Sequence, residues 1–215
     1  SVLFILSLTI TVNNFNCQPL VEKVIKVMNC GREVRIIVAE EGELLTGEIH
    51  RSFKKSEQIS PDIDNDILKI VVKDRYKDSP PAIGFIKGFG LKRGAFASSI
   101  AHDSHNIISV GTNDRDIVSS INEIVRLKGG LAISDGGKVK SLELNIGGIM
   151  TTRSCDDIAQ DYENLNELVM SLGCTMKAPF MTLSFMALLV IPDLKIGDRG
   201  LFDVRKFKRV WWFVE

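Results

Sequence analysis

The chain has 215 residues, 45% of them hydrophobic and 25% charged, enough apolar material for one large domain or a domain and a half. Its 27 Lys and Arg balance its 27 Asp and Glu. No global field therefore draws nucleic acid or an anionic membrane, and small neutral ligands or protein surfaces fit better as partners. The four cysteines, Cys17, Cys30, Cys155 and Cys174, form no C-x-x-C pair; that excludes a ribbon-type zinc site and reads as reduced thiols in a cytoplasmic protein.

The opening run SVLFILSLTITV is apolar but has no basic flank and no cleavage site, and it is too short to span a bilayer. It reads as a buried strand, and its abrupt start at Ser1 suggests a piece cut from something longer. Across residues 20–48, the β-branched runs VEKVIKVM, EVRIIVAE and ELLTGEI are separated by Asn29-Cys30-Gly31 and Glu41-Gly42-Glu43, which predicts antiparallel strands with tight connections. Residues 51–65 are polar and predict a solvated loop before the next strand, DILKIVVKDR. A seam placed there divides the chain into a strand-rich segment, 1–65, and a core, 66–215.

Residues 83–111 are rich in glycine and otherwise small or apolar. Glycines at that density allow either strands crossing tightly in a core or backbone N–H groups facing a ligand. GFIKGFGLKRG matches neither G-x-x-x-x-G-K-[ST] nor G-x-G-x-x-G, so a nucleotide-phosphate loop is excluded. Two helices are well marked. The first has Asn113 as N-cap, Asp116 in its first turn, an apolar face of Ile117, Ile121, Ile124 and Val125, and Gly129-Gly130 at its end. The second opens on the Ser154/Asp157 capping box, carries Ile158, Tyr162, Leu165, Leu168, Val169 and Leu172, and stops at Gly173. Between them, Asp135-Gly136-Gly137 predicts a hairpin turn. The later stripe Phe180, Met181, Leu183, Phe185, Met186 and Leu188 reads as core, and Trp211-Trp212 as packing or interface. Strands outnumber helices without regular βαβ alternation. The predicted class is therefore α+β, with mixed, mostly antiparallel sheets and two main amphipathic helices packed on them.

The segment AHDSHN, residues 101–106, gathers two of the three histidines, a carboxylate, a hydroxyl and an amide. On a helix His102 and His105 would share a face and could chelate one ion. On a strand Asp103 would fall beside His105, and in a loop all the side chains could fan around one pocket. A self-contained metal site is short of ligands, since His50 is the only other histidine. Consecutive residues rarely attain the mutual geometry of a Ser/His/Asp triad. A polar turn bonded to itself is the bland alternative, against which stands the density of proton-transfer groups in an otherwise apolar stretch.

Three runs, GFIKGFGLKRGAFASSIAHDSHNIISVGTND, GGLAISDGGKV and LGCTMKAPFMTLSFMALLVIPDLKIGDRGLFDV, closely resemble the C-terminal domain of adenine deaminases of the metal-dependent amidohydrolase superfamily. The resemblance implies hydrolytic deamination of adenine to hypoxanthine and ammonia. A divalent metal, manganese or iron, would sit in a preceding (β/α)8 barrel, which takes about 250 residues and has no room here; no metal is expected on this chain alone. It also implies His102, Asp103 and His105 as catalytic groups, and Ser104, Asn106, Gly90 and Lys92 as substrate contacts. The implied partners are adenine and the barrel in cis or in trans; separately, exposed sheet edges and the aromatic tail predict a homo-oligomer or a missing partner surface. A non-catalytic purine-binding or interaction module is the alternative.

Overall fold

The computed structural model describes residues 13–53 and 58–214; the strand expected over the first twelve residues lies outside them. In chain order the strands are β1 (Val27–Met28), β2 (Val34–Ala39), β3 (Thr46–Arg51), β4 (Gln58–Ile59), β5 (Ile67–Lys73), β6 (Ala82–Lys87), β7 (Ala95–Ser98), β8 (Ile107–Gly111), β9 (Gly130–Asp135), β10 (Lys138–Glu143), β11 (Leu194–Gly197), β12 (Gly200–Asp203) and β13 (Lys208–Arg209). The helices are α1 (Asp114–Leu127), α2 (Cys155–Ser171) and α3 (Pro179–Phe185). Eight strands make one sheet in the order β10-β9-β7-β8-β5-β6-β2-β3. Each pair in it is antiparallel except β2 with β6. The class is α+β, as the sequence predicts. This sheet takes β2 and β3 from before residue 65 and its other strands from after it.

β5 lies in the middle of the sheet, and all seven of its residues are buried. Alternation sends Leu68, Ile70 and Val72 into one core and Ile67 and Val71 into the other. Lys69 and Lys73 share the second face, and the end of each side chain meets polar partners. Lys69 Nζ donates to Ile25 O at 3.0 Å and pairs with Asp114, while Lys73 Nζ donates to Ser79 O at 2.7 Å and Asp78 Oδ1 at 3.0 Å. Burial pushes the Lys69 ammonium below its ordinary value, and Asp114 offsets part of that.

On the second face lie α1, through Ile117, Ile121 and Ile124, and a 3-10 turn over Glu22–Ile25. On the first face lie α2, α3 and the three-stranded sheet β11-β12-β13, around Phe96, whose ring meets Phe180 edge-on at 5.1 Å. The predicted caps are present: Asn113 Oδ1 accepts from the Asp116 amide at 2.8 Å, and Ser154 Oγ from the Asp157 amide at 3.2 Å. The turn between β9 and β10 has positive φ at both Gly136 and Gly137, as a two-residue hairpin with the sheet's twist requires.

Two expectations need correction, and one element is new. The run VEKVIKVM is not one strand: it divides into the 3-10 turn and β1, and β1 pairs with β4 rather than with β2. β4 in turn falls inside residues 51–65, read from sequence as loop throughout. The stripe at 180–188 contains a third helix, α3, with Pro179 in its first turn, where a missing N–H does no harm. Trp212 packs against both cores whereas Trp211 is exposed. No helix among the described residues is long and apolar enough to cross a membrane.

Candidate functional site

β7 has one loop at each end. Residues 88–94 enter it and residues 99–106 leave it, with Ala95–Ser98, roughly 13 Å of strand, between them. At the entry, the Gly88 and Gly90 amides donate to the two oxygens of Asp66, at 2.8 and 2.7 Å, and the Lys92 amide donates to Leu172 O at 2.8 Å. The structure therefore keeps Gly90 and Lys92 away from the histidines. Closeness in the sequence conceals the strand that separates them.

The exit loop does bring His102, Asp103, Ser104, His105 and Asn106 together. Asn106 is buried, and its Oδ1 accepts from the Arg75 amide at 3.2 Å. The His105 amide donates to Ala101 O at 2.6 Å, closing the turn, and the His102 amide donates to Ser184 O of α3 at 3.1 Å. Asp103 and Ser104 project as the exposed tip of the turn, with the two histidines half-buried behind them. The His102 ring stacks on Phe185, centroids 5.0 Å apart, and stands edge-on to His105 at 5.7 Å. The geometry is a loop, so the helical and strand alternatives fall away.

His105 is the unusual member. Its φ of 51° puts a non-glycine residue in the left-handed region, at a cost of about 1 kcal/mol or more. Its Nδ1 is buried and has no hydrogen-bond partner. Burial pushes its imidazole below the usual 6.5; the nearby His102 and Arg75 push the same way and Asp103 opposes them. A neutral imidazole with a free ring nitrogen can accept or return a proton near pH 7.

Several residues that shape this loop escape the sequence reading. Arg75 and Tyr76 follow β5: Arg75 Nη2 donates to the Tyr76 hydroxyl at 3.0 Å, and that hydroxyl donates to Ser104 O at 2.7 Å. Ser99 Oγ accepts from the Gly130 amide at 2.8 Å and donates to Gly148 O, pinning the start of the loop to its neighbours. Phe185 reads as core from sequence, yet it also stacks under His102. The only available signal is KDRY, four polar or ionisable residues directly after the apolar run Ile70-Val71-Val72.

The description "Adenine deaminase C-terminal domain" belongs to the family model that matches residues 43–208. An adenine deaminase of Methanosarcina acetivorans is 51% identical over 186 residues, covering 86% of this chain and 34% of the relative. Those of Parabacteroides distasonis and Salinibacter ruber are 41% and 43% identical over 203 and 208 residues, covering 94% and 95% of this chain and 37% and 38% of theirs. The chain spans about a third of the length of these curated relatives.

Proposed function

The chain belongs to the adenine deaminase C-terminal domain family, and from that premise we propose that it supplies the loop of residues 101–106 to the hydrolytic deamination of adenine, in concert with a metal-binding barrel. Adenine and water give hypoxanthine and ammonia. A C–O bond forms at the carbon that loses its C–N bond, and the departing amine must gain a proton. Manganese or iron in the barrel would activate the water. The residues here do not fit that ion, since among the described residues no three His, Cys, Asp or Glu side chains are gathered to hold a metal. What this chain contributes is binding, orientation and proton transfer.

In this reading His105 relays a proton through its unpartnered Nδ1, His102 presents its ring edge to the purine from its stack on Phe185, and Asp103 steadies the imidazolium when it forms. Ser104 and Asn106 shape the pocket. Gly90 and Lys92 act at most from the opposite end of β7, so the substrate contacts narrow to the loop. The observation that carries the reading is the buried Nδ1 of His105 without a partner. Native interiors leave few such groups idle, and a ligand or a catalytic role is among the reasons one persists. Free Cys17, Cys30, Cys155 and Cys174 suit a cytoplasmic setting. Phe207 and Trp211, 76% and 74% exposed, suit a homo-oligomer or the barrel's contact surface.

The test is a chimaera in which this chain replaces the corresponding third of the Methanosarcina acetivorans enzyme, assayed for ammonia release from adenine. Alanine at His102, Asp103 or His105 is expected to lower turnover at least about tenfold. Near-normal kinetics for all three would remove the proposal.

A further inference from the structure

The loop of residues 101–106 does not hold itself in place. Arg75 is buried, 6% exposed, and its guanidinium lies between the rings of Phe15 and Tyr76, 4.8 Å from each centroid. Its hydrogen-bond acceptors are Gly147 O at 2.7 Å and the Tyr76 hydroxyl at 3.0 Å, neither of them charged, and its Nε is buried without a partner. A buried cation without a carboxylate against it costs stability unless something else requires it there.

Apart from the bond to Gly147 O and the local bond from the Tyr76 amide to Asp74, the hydrogen bonds that the Arg75–Tyr76 pair makes among the described residues lead either to the histidine loop or to the segment that precedes the 3-10 turn. Toward the loop, the Arg75 amide donates to Asn106 and the Tyr76 hydroxyl donates to Ser104 O. On the other side, the Asn16 amide donates to Arg75 O at 2.7 Å, Asn16 Nδ2 donates to Tyr76 O at 3.2 Å, and Phe15 covers the guanidinium. Gly148 completes the clamp: with φ of 75° it is already in the glycine region, and a Cβ there would run into Arg75 and the Phe15 ring.

We propose that Arg75 and Tyr76 are positioning residues of the candidate site, which hold the 101–106 loop in its working shape and tie that shape to the segment around Phe15 and Asn16. The proposal rests on the deaminase reading for its consequence and on the clamp geometry for its substance. Arg75 acts twice, as a planar fork that fixes two loops and as a fixed positive charge facing His105. His102 faces the same imidazole with like effect and Asp103 with the opposite one.

The experiment is a histidine titration by NMR on the whole chain, whose three imidazoles are few enough to follow separately. In the unaltered protein burial, and after it His102 and Arg75, hold the His105 imidazole below its ordinary value. Arg75→Gln should raise the His105 midpoint toward 6.5 and speed hydrogen exchange at the His105 amide about tenfold. Arg75→Lys keeps the charge without the fork, so the midpoint stays low but exchange quickens. Tyr76→Phe and Phe15→Ala loosen the loop by the same measure. Should Arg75→Gln not fold, Tyr76→Phe decides the matter alone. Folded variants with unchanged His105 midpoint and unchanged loop exchange overturn the proposal. No substrate enters this measurement: a responsive loop with a chimaera indifferent to His102 and His105 removes the deaminase reading and keeps the clamp, and the reverse pattern does the opposite.

Discussion

At the end of β7 that begins with Ala95, the buried carboxylate of Asp116 accepts from Ser134 Oγ at 2.7 Å, Asn113 Nδ2 at 2.8 Å, and the Gly137 and Gly136 amides at 3.1 and 3.3 Å. Asp66 is likewise met by two amides, and Gly94 O accepts from both the amide and the hydroxyl of Thr112. At the other end, four residues along the same strand, His105 Nδ1 and Arg75 Nε are buried without partners, and His105 sits at positive φ. Both ends are polar, and one is closed on itself while the other is left open. Closed networks fix a fold; a half-satisfied one persists where a ligand or a proton completes it.

This contrast can be broken at either end. The largest expected effect is at the closed end. Asp116→Ala strands several buried donors at once and should lower unfolding stability by about 3 kcal/mol in chemical denaturation, with the His102 and His105 signals unmoved. Next, His105→Gly in the chimaera should lower turnover at least about tenfold while stability changes by less than about 1 kcal/mol, because glycine relieves the left-handed backbone as the imidazole is lost. If that change unfolds the protein instead, the open end is structural and the contrast fails.

Smaller still is Ser134→Ala, expected to cost about 1 kcal/mol through one lost donor to Asp116. The finest distinction is in acid. Burial alone would push the Asp116 carboxyl up, but its donors, Ser134 and Asn113 foremost, hold it below the usual 3.8. A folded value below the unfolded one means that this contribution is present above about 3.8 and is lost as pH falls through the folded value. The thermal midpoint should therefore drop on acidification in that window, and Asp116→Asn should blunt the drop. His105 has the same sign at a higher pH: its folded value lies below 6.5, so relative stability declines as pH falls from there.

The local part of the closed end is legible in the sequence, whereas its bonds from Ser134 to Asp116 and from Gly88 and Gly90 to Asp66 are not. Asn113 followed by Asp116, and the Asp135-Gly136-Gly137 turn, are local signals whose partners lie within a few residues or one hairpin. The same holds for the Ser154 cap of α2. The open end depends on contacts across 31 residues between Arg75 and Asn106, 28 between Tyr76 and Ser104, and 72 between Arg75 and Gly147. No periodicity encodes these. The residue types of AHDSHN mark the loop as chemical, but its shape comes from a sheet that only the fold assembles. Gly90 and Lys92 are neighbours of this loop in the sequence, but the four residues of β7 stand between them and the histidines, a separation that glycine density does not reveal.

The most direct test of the contrast compares two substitutions in the chimaera, His105→Ala and Asp116→Asn, by ammonia release from adenine at a temperature where both proteins are folded. The expected result is a loss of turnover of at least about tenfold for His105→Ala and near-normal turnover for Asp116→Asn. Full activity in His105→Ala would contradict the assignment of the proton relay to His105.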